Sequence, residues 1–402
     1  MKAEYPFGPV SAAEAQEIMR AIRNDRPMTK VTFPVGGDAW LVHRHDACKE
    51  LLENRTFVRK PFADGRPVPY GFEFPAFLTK TLQFMDPPDH TRMRRLVAKA
   101  FTQRRVEKLR ESTTGIANEL IDRMTADGAK SANLVDAYML PLPIRVLGDL
   151  IGVPEEGRAN FVEWSHALLA TSGMDEAKVM EHTTALYIYL SELMAARRAE
   201  PQDDLLSALA AAKEADDQLT DGEILEIAML LVVGGFDNTA NFIGQGTLSL
   251  LLNPGQRAVL AEDVDGRIGA AVDEILRHSS MEMGREITAR PGLVPFVASE
   301  DTEIAGQPIK QGEAVMVDLD SANHDDSAFE GPEEFDLRRL HNQHLTFSHG
   351  LHRCLGASLA QMELQVGIGT LFKRLPGLTL ADDPVYLQGV LTGGMLNLPV
   401  SW

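Results

Sequence analysis

Between residues 89 and 212 apolar side chains recur every three or four positions, with interruptions at "LPLP" and "GVPEEG". That period marks amphipathic helix. Earlier in the chain the pattern changes: "KVTFPV" and "AWLVHR" alternate on either side of "GGD". This predicts strand, turn and strand, followed by a short helix through Cys48. Beyond Val294 the short β-like pieces "PFVAS", "TEIAG" and "AVMVDL" precede a last helix that starts near Gly356. The expected class is mainly α with a minor β region. No repeat, low-complexity tract or Pro/Gly linker divides the chain, so residues 1–402 read as a single domain.

One predicted helix carries more information than the others. "TDGEILEIAMLLVVGGFDNTANFIGQGTLSLLLNP" opens with a capping box, Thr220 with Glu223, and stops at Asn253–Pro254. Read as one rod it is roughly 50 Å long. It is apolar nearly all round and so expected to be buried. Yet its centre holds Gly234, Gly235, Asp237, Asn238 and Thr239. Two glycines inside a helix cost about 1 kcal/mol each against alanine. A buried helix that thins its own side chains and then places a carboxylate is either kinked or making room for something.

Composition narrows the function. A net charge of −19 argues against general nucleic-acid binding, which needs clustered Lys and Arg. Two cysteines, Cys48 and Cys354, form no disulfide framework and fit a reducing compartment. The N-terminal "MKAEYPFGPVSAAEA" has no apolar signal core, and the longest apolar run, Ile227 to Phe236, is too short to span a bilayer. A cytoplasmic protein without membrane attachment is expected.

Cys354 lies in "TFSHGLHRCLGASLAQMEL", between Gly350 and Gly356 and just before a helical pattern. A helix N-terminus and backbone donors favour a thiolate, and glycines let backbone wrap closely round a flat ligand. A buried structural cysteine would also satisfy those few residues. The longer pattern Phe347-x-x-Gly350-x-His352-x-Cys354-x-Gly356 resembles the cysteine-ligand signature of the cytochrome P450 superfamily, the haem-thiolate monooxygenases. Glu274-Ile-Leu-Arg277 looks like that family's E-x-x-R pair, with Glu and Arg at i,i+3. "ANHDDSAFEGPEEFDLRR" is similar to the segment preceding the ligand loop, "DPPDHTRMRR" to the helix that reaches the haem propionates, and "GGFDNT" to the oxygen-binding stretch. These elements occur in family order over residues 84 to 364.

The resemblance implies a triangular-prism, mostly α fold holding one haem b. Cys354 would be the proximal iron ligand, which pushes electron density onto the metal. His90, Arg94 and His352 would hold propionates, a task suited to charge-assisted bonds. Arg285, with Arg290 as the second choice, would be the third anchor, although "TARPGLVPF" departs from the usual pattern there. Phe347, Gly350 and Gly356 would shape the cofactor cradle, and Glu274 and Arg277 would support the proximal side. Asp237, Asn238 and Thr239 would be catalytic. The family usually follows the acid with Thr, whereas Asn238 stands here, and an amide does not readily relay a proton. Either the substrate or water supplies the missing hydroxyl, or the reaction needs less proton delivery, as oxidative C–C or C–N coupling would, or Asn238 is a tolerated variant in an ordinary hydroxylase.

The likeness is to bacterial members that tailor natural products such as polyketides, terpenoids and cyclic peptides. Substrate contacts are expected from Phe72, Phe74, Val233, Asn241, Ser280, Met283 and Met395. With no flavin domain in these 402 residues, electrons would come from NAD(P)H through a ferredoxin reductase and an acidic ferredoxin. Arg92, Arg95, Lys99 and Arg353 are candidate docking cations despite the overall charge. A haem protein that performs no oxidation, a sensor or recruitment scaffold, is the alternative from another class.

Overall fold

A computed structural model of the chain describes residues 3–4, 12–33, 37–69, 78–169, 176–214, 217–279, 294–386 and 394–402. The chain divides into two compact units, each assembled from two distant segments: Met1–Thr91 with Leu276–Cys354, and Arg92–Ile275 with Leu355–Trp402.

The first unit holds the principal sheet. Strands Met28–Thr32 and Asp38–Val42 form the expected antiparallel hairpin, with Met28 opposite Val42 and Thr32 opposite Asp38. Asp38–Val42 then pairs in parallel with Ala314–Val317, which pairs antiparallel with Phe296–Ala298. Phe57–Val58 closes that edge against Phe296–Ala298. The helix His45–Glu53 buries Ala47, Cys48, Leu51 and Leu52, the spacing of one helical face, into a core with Phe57, Ile304 and Val315. Its first free N–H, on His45, is taken by the Asp325 carboxylate at 2.8 Å.

The second unit is built of helices. Gln103–Met124 starts at Thr102, whose hydroxyl accepts from Arg105 N, and buries Val106, Thr113, Ala117, Leu120 and Met124. It packs along Ala357–Arg374, the helix that follows the cysteine loop. Tyr138 fixes the crossing segment by donating to the Gly367 carbonyl at 2.7 Å. "LPLP" is not a break: Pro141 and Pro143 sit in the first turn of Pro141–Ile151, after a π-helical turn Val135–Met139. The N–H that proline lacks is unpaired in a first turn anyway. "GVPEEG" is a break, with Gly152 left-handed at φ 91°.

The long central helix is two helices. The capping box forms as expected, Thr220 and Glu223 each accepting from the other's backbone. The expectation of one rod is corrected at Phe236, where φ −111° and ψ −43° separate Asp221–Gly235 from Asp237–Leu252. Gly234 and Gly235 stand immediately before that break. By length and composition the Asp221–Leu252 stretch is long and apolar enough to cross a membrane, contrary to the shorter run counted from sequence, and 65% of its apolar 18-residue window is buried inside the chain.

Candidate active site

The cysteine loop is positioned by a network within the first unit. Arg277, fully buried, donates to the carbonyls of Asn323 (3.0 Å), Pro332 (2.7 Å) and Glu334 (2.9 Å), and its guanidinium lies over the Phe329 ring. Asn323, so anchored, reaches forward with both ends of its amide. Its oxygen accepts from Leu345 N at 2.7 Å, and its nitrogen donates to the Thr346 hydroxyl at 2.9 Å. Thr346 in turn donates to the Leu276 carbonyl at 2.5 Å. Three residues thus fix where the loop leaves the core. Glu274, one turn before Arg277 on the same helix, is also fully buried.

From there the loop folds back on itself. Gly350 adopts φ +63°, and a Cβ there would stand 2.3 Å from the Leu52 carbonyl oxygen, so only glycine fits. Cys354 N donates to the Phe347 carbonyl at 2.8 Å, and the thiol itself is exposed. An 18-residue helix begins three residues later at Ala357, and its N-terminal field favours an anionic sulfur. Cys48 is the opposite case. It is wholly buried, its Sγ donates to the Val42 carbonyl at 3.4 Å, and desolvation and then the Asp318 and Asp325 carboxylates push its thiol well above the ordinary range. Only Cys354 is placed to serve as a thiolate ligand.

His90, in the first turn of Asp89–Ala100, is buried, and its ring lies 4.5 Å from that of His352. Two imidazoles brought together in this way suit a shared anionic group. Arg94 lies one turn further along the same helix, half-buried.

In the second unit, the residues around the helix break bond back onto it. Asn238 Nδ2 donates to the Gly234 carbonyl at 3.3 Å, and the Thr239 hydroxyl to the Gly235 carbonyl at 3.2 Å. The Asn238 oxygen is buried without a hydrogen-bond partner among the described residues. Asn241, expected to meet substrate, is buried and its Nδ2 points to the Asp237 carboxylate at 3.4 Å. Met395 is buried with its sulfur against Gly244, beside Met139, which is a packing position. Val233 stands within Asp221–Gly235, its side chain outside the described set, and Phe72, Phe74, Ser280, Met283, Arg285 and Arg290 lie outside the described residues.

Two glycines test the fit to haem. A Cβ at Gly234 or at Gly356 would meet no atom of the described protein within 4 Å. Packing of the protein against itself therefore does not demand glycine at either place, and each leaves open space beside the backbone. The exposed cysteine and the paired imidazoles of the first unit fit haem b.

Sequence reasoning missed Asn323 and Thr346, although both lie in or beside segments it had singled out. Their partners are 22 to 70 residues distant, and no local pattern reports that. Arg92, one of the expected docking cations, pairs with Asp217 and Glu223 and donates to the Gln218 carbonyl.

The cytochrome P450 family profile matches residues 168–376. Nocardicin C N-oxygenase of Nocardia uniformis subsp. tsuyamanensis is 39% identical over 401 residues, covering 99% of this chain and 98% of its own. The mycinamicin IV hydroxylase/epoxidase of Micromonospora griseorubida is 37% identical with the same coverage. Among solved structures, the mixed-function P450 MycG superposes with a TM-score of 0.90 at 36% identity, over 100% of both chains. Full-length likeness, the helix-rich fold and a cysteine held in an exposed loop lead to one assignment: the chain belongs to the cytochrome P450 family and is a haem b-dependent monooxygenase of its bacterial natural-product-tailoring class.

Proposed function

We propose that the enzyme oxidises a secondary metabolite of polyketide, terpenoid or cyclic-peptide type, by hydroxylation or by oxidative coupling, in the cytoplasm. The names of its relatives support a bulky natural product: one is an N-oxygenase of nocardicin C, another a hydroxylase and epoxidase of mycinamicin IV. Full-length matching supports reading residues 1–402 as a single haem domain. The observation that carries the proposal is the cysteine loop, held by Gly350 and by Arg277, Asn323 and Thr346 with its thiol outward.

The bound haem supplies activation of dioxygen, with the thiolate of Cys354 as the electron-donating ligand. This chain's own residues do the rest. His90, Arg94 and His352 hold the propionates through charge-assisted bonds. Asp237, restrained by Asn241, holds and passes protons on the distal side, alone or through water, since the amide of Asn238 turns back to the Gly234 carbonyl. Thr239 likewise spends its hydroxyl proton on the Gly235 carbonyl. Electrons come from NAD(P)H by way of a ferredoxin reductase and a ferredoxin. Arg92, Arg95, Lys99 and Arg353 are the candidate cations that receive it, the last three exposed.

The deciding experiment is the optical spectrum of the reduced carbon-monoxide adduct, followed by turnover with ferredoxin, reductase and NAD(P)H. Wild-type protein shows the thiolate-type spectrum and Cys354→Ser loses both the spectrum and the oxidation. A variant at Cys354 that keeps both would overturn the ligand assignment. A thiolate spectrum with no electron uptake from any ferredoxin would favour a sensor or scaffold.

A further inference from the structure

A closed ring of contacts within the first unit ends at a residue with no role so far. Arg59 follows the strand Phe57–Val58, which pairs with Phe296–Ala298. Its side chain turns inward: Arg59 is 2% exposed, its guanidinium lies 4.3 Å over the Phe296 ring, and Nη1 donates to the Gln83 carbonyl at 2.9 Å. The Phe296 ring meets the His352 ring edge-on at 6.2 Å, and the His352 ring lies tilted against that of His90 at 4.5 Å. The ring is completed through Asp86. Its carboxylate accepts from Arg59 N and Lys60 N, and its carbonyl accepts from His90 N at 3.0 Å.

A guanidinium stays charged at any working pH. Here it is buried on the Phe296 ring, which also meets His352, with Asp86 fixing the Arg59 backbone to the turn that carries His90. We propose that Arg59 is a haem-propionate anchor, in addition to His90, Arg94 and His352. An Arg fork matches a carboxylate with two parallel donors, and Phe296 holds the fork flat by cation–π contact. The inference rests on the haem reading above and assigns to Arg59 a contact that no motif marks.

The test is the rate of haem loss to excess apomyoglobin, measured on loaded protein. Arg59→Gln releases haem roughly ten- to a hundredfold faster than wild type, the loss of one charge-assisted interaction, and Arg59→Lys recovers part of the difference. Reconstitution with haem whose propionates are esterified separates anchoring from mere packing: with that haem, wild type and Arg59→Gln release at the same rate. Equal rates with native haem overturn the proposal, as does a difference that persists undiminished with the ester. A wild-type protein that takes up no haem would instead overturn the haem reading itself.

Discussion

At the scale of single residues, Asn238 stands where the family pattern has Thr after the acid. Its amide nitrogen caps the Gly234 carbonyl, so the side chain is oriented by its own helix. General acid–base work of this kind is worth about 10²–10⁴-fold, and Asp237→Asn is expected to slow turnover on that order while leaving the substrate-induced spectral change intact. Asn238→Thr is expected to leave the yield of native product per NAD(P)H unimproved, because substrate or water already completes the relay. The check is product per NAD(P)H with identity confirmed by mass, and a clear gain in unchanged product would contradict it. His43 makes a prediction of another kind. Burial depresses its ring pKa from 6.5 to about 4, so it stays neutral in the fold while the unfolded chain protonates. The stability it contributes is complete above 6.5 and drains away as pH falls toward 4, by about 2 kcal/mol near pH 5. The gap in thermal midpoint between wild type and His43→Gln should therefore narrow between pH 7 and about pH 5.

At the scale of elements, legibility followed distance along the chain. The capping box Thr220–Glu223 and the hairpin at Gly37–Asp38 were readable because each is settled by neighbours within a few residues. The break at Phe236 was announced by two glycines but not located by them, since a kink is decided by what packs on either side. The site divided in the same way. Cys354, Gly350 and His352 fall in one motif. Arg277's three carbonyl acceptors lie 46 to 57 residues downstream, and Arg59 meets Phe296 only through sheet pairing. Gly234 turns this into a measurement. With no atom of the described protein within 4 Å of its Cβ position, Gly234→Ala should stabilise the haem-free protein by up to about 1 kcal/mol. It should at the same time weaken haem or substrate binding, read as lower haem content or a smaller spectral shift. A variant more stable and equally competent would show the glycine to be a tolerated kink.

At the scale of the whole molecule, charge and connectivity matter most. A protein carrying −19 repels an acidic redox partner on average, so docking depends on local cations. Arg92 pairs with Asp217 and Glu223, and the exposed Arg95 and Lys99 are the side chains to reverse. Arg95→Glu and Lys99→Glu are expected to slow reduction by ferredoxin at low ionic strength, and the deficit should shrink as salt approaches about 1 M, where the screening length is only about 3 Å. Stopped-flow reduction at two salt concentrations checks this; a salt-independent deficit would point to a structural cause.

The order of the strands has a consequence for synthesis. Asp38–Val42 waits for Ala314–Val317, and Phe57–Val58 for Phe296–Ala298. During translation both early strands leave the ribosome long before their partners exist, so their edges stay unpaired while the helical segments between them are made. Unpaired edges invite wrong pairing. A nascent chain therefore cannot close its sheet, or position Arg59 against Phe296, until most of its length has emerged.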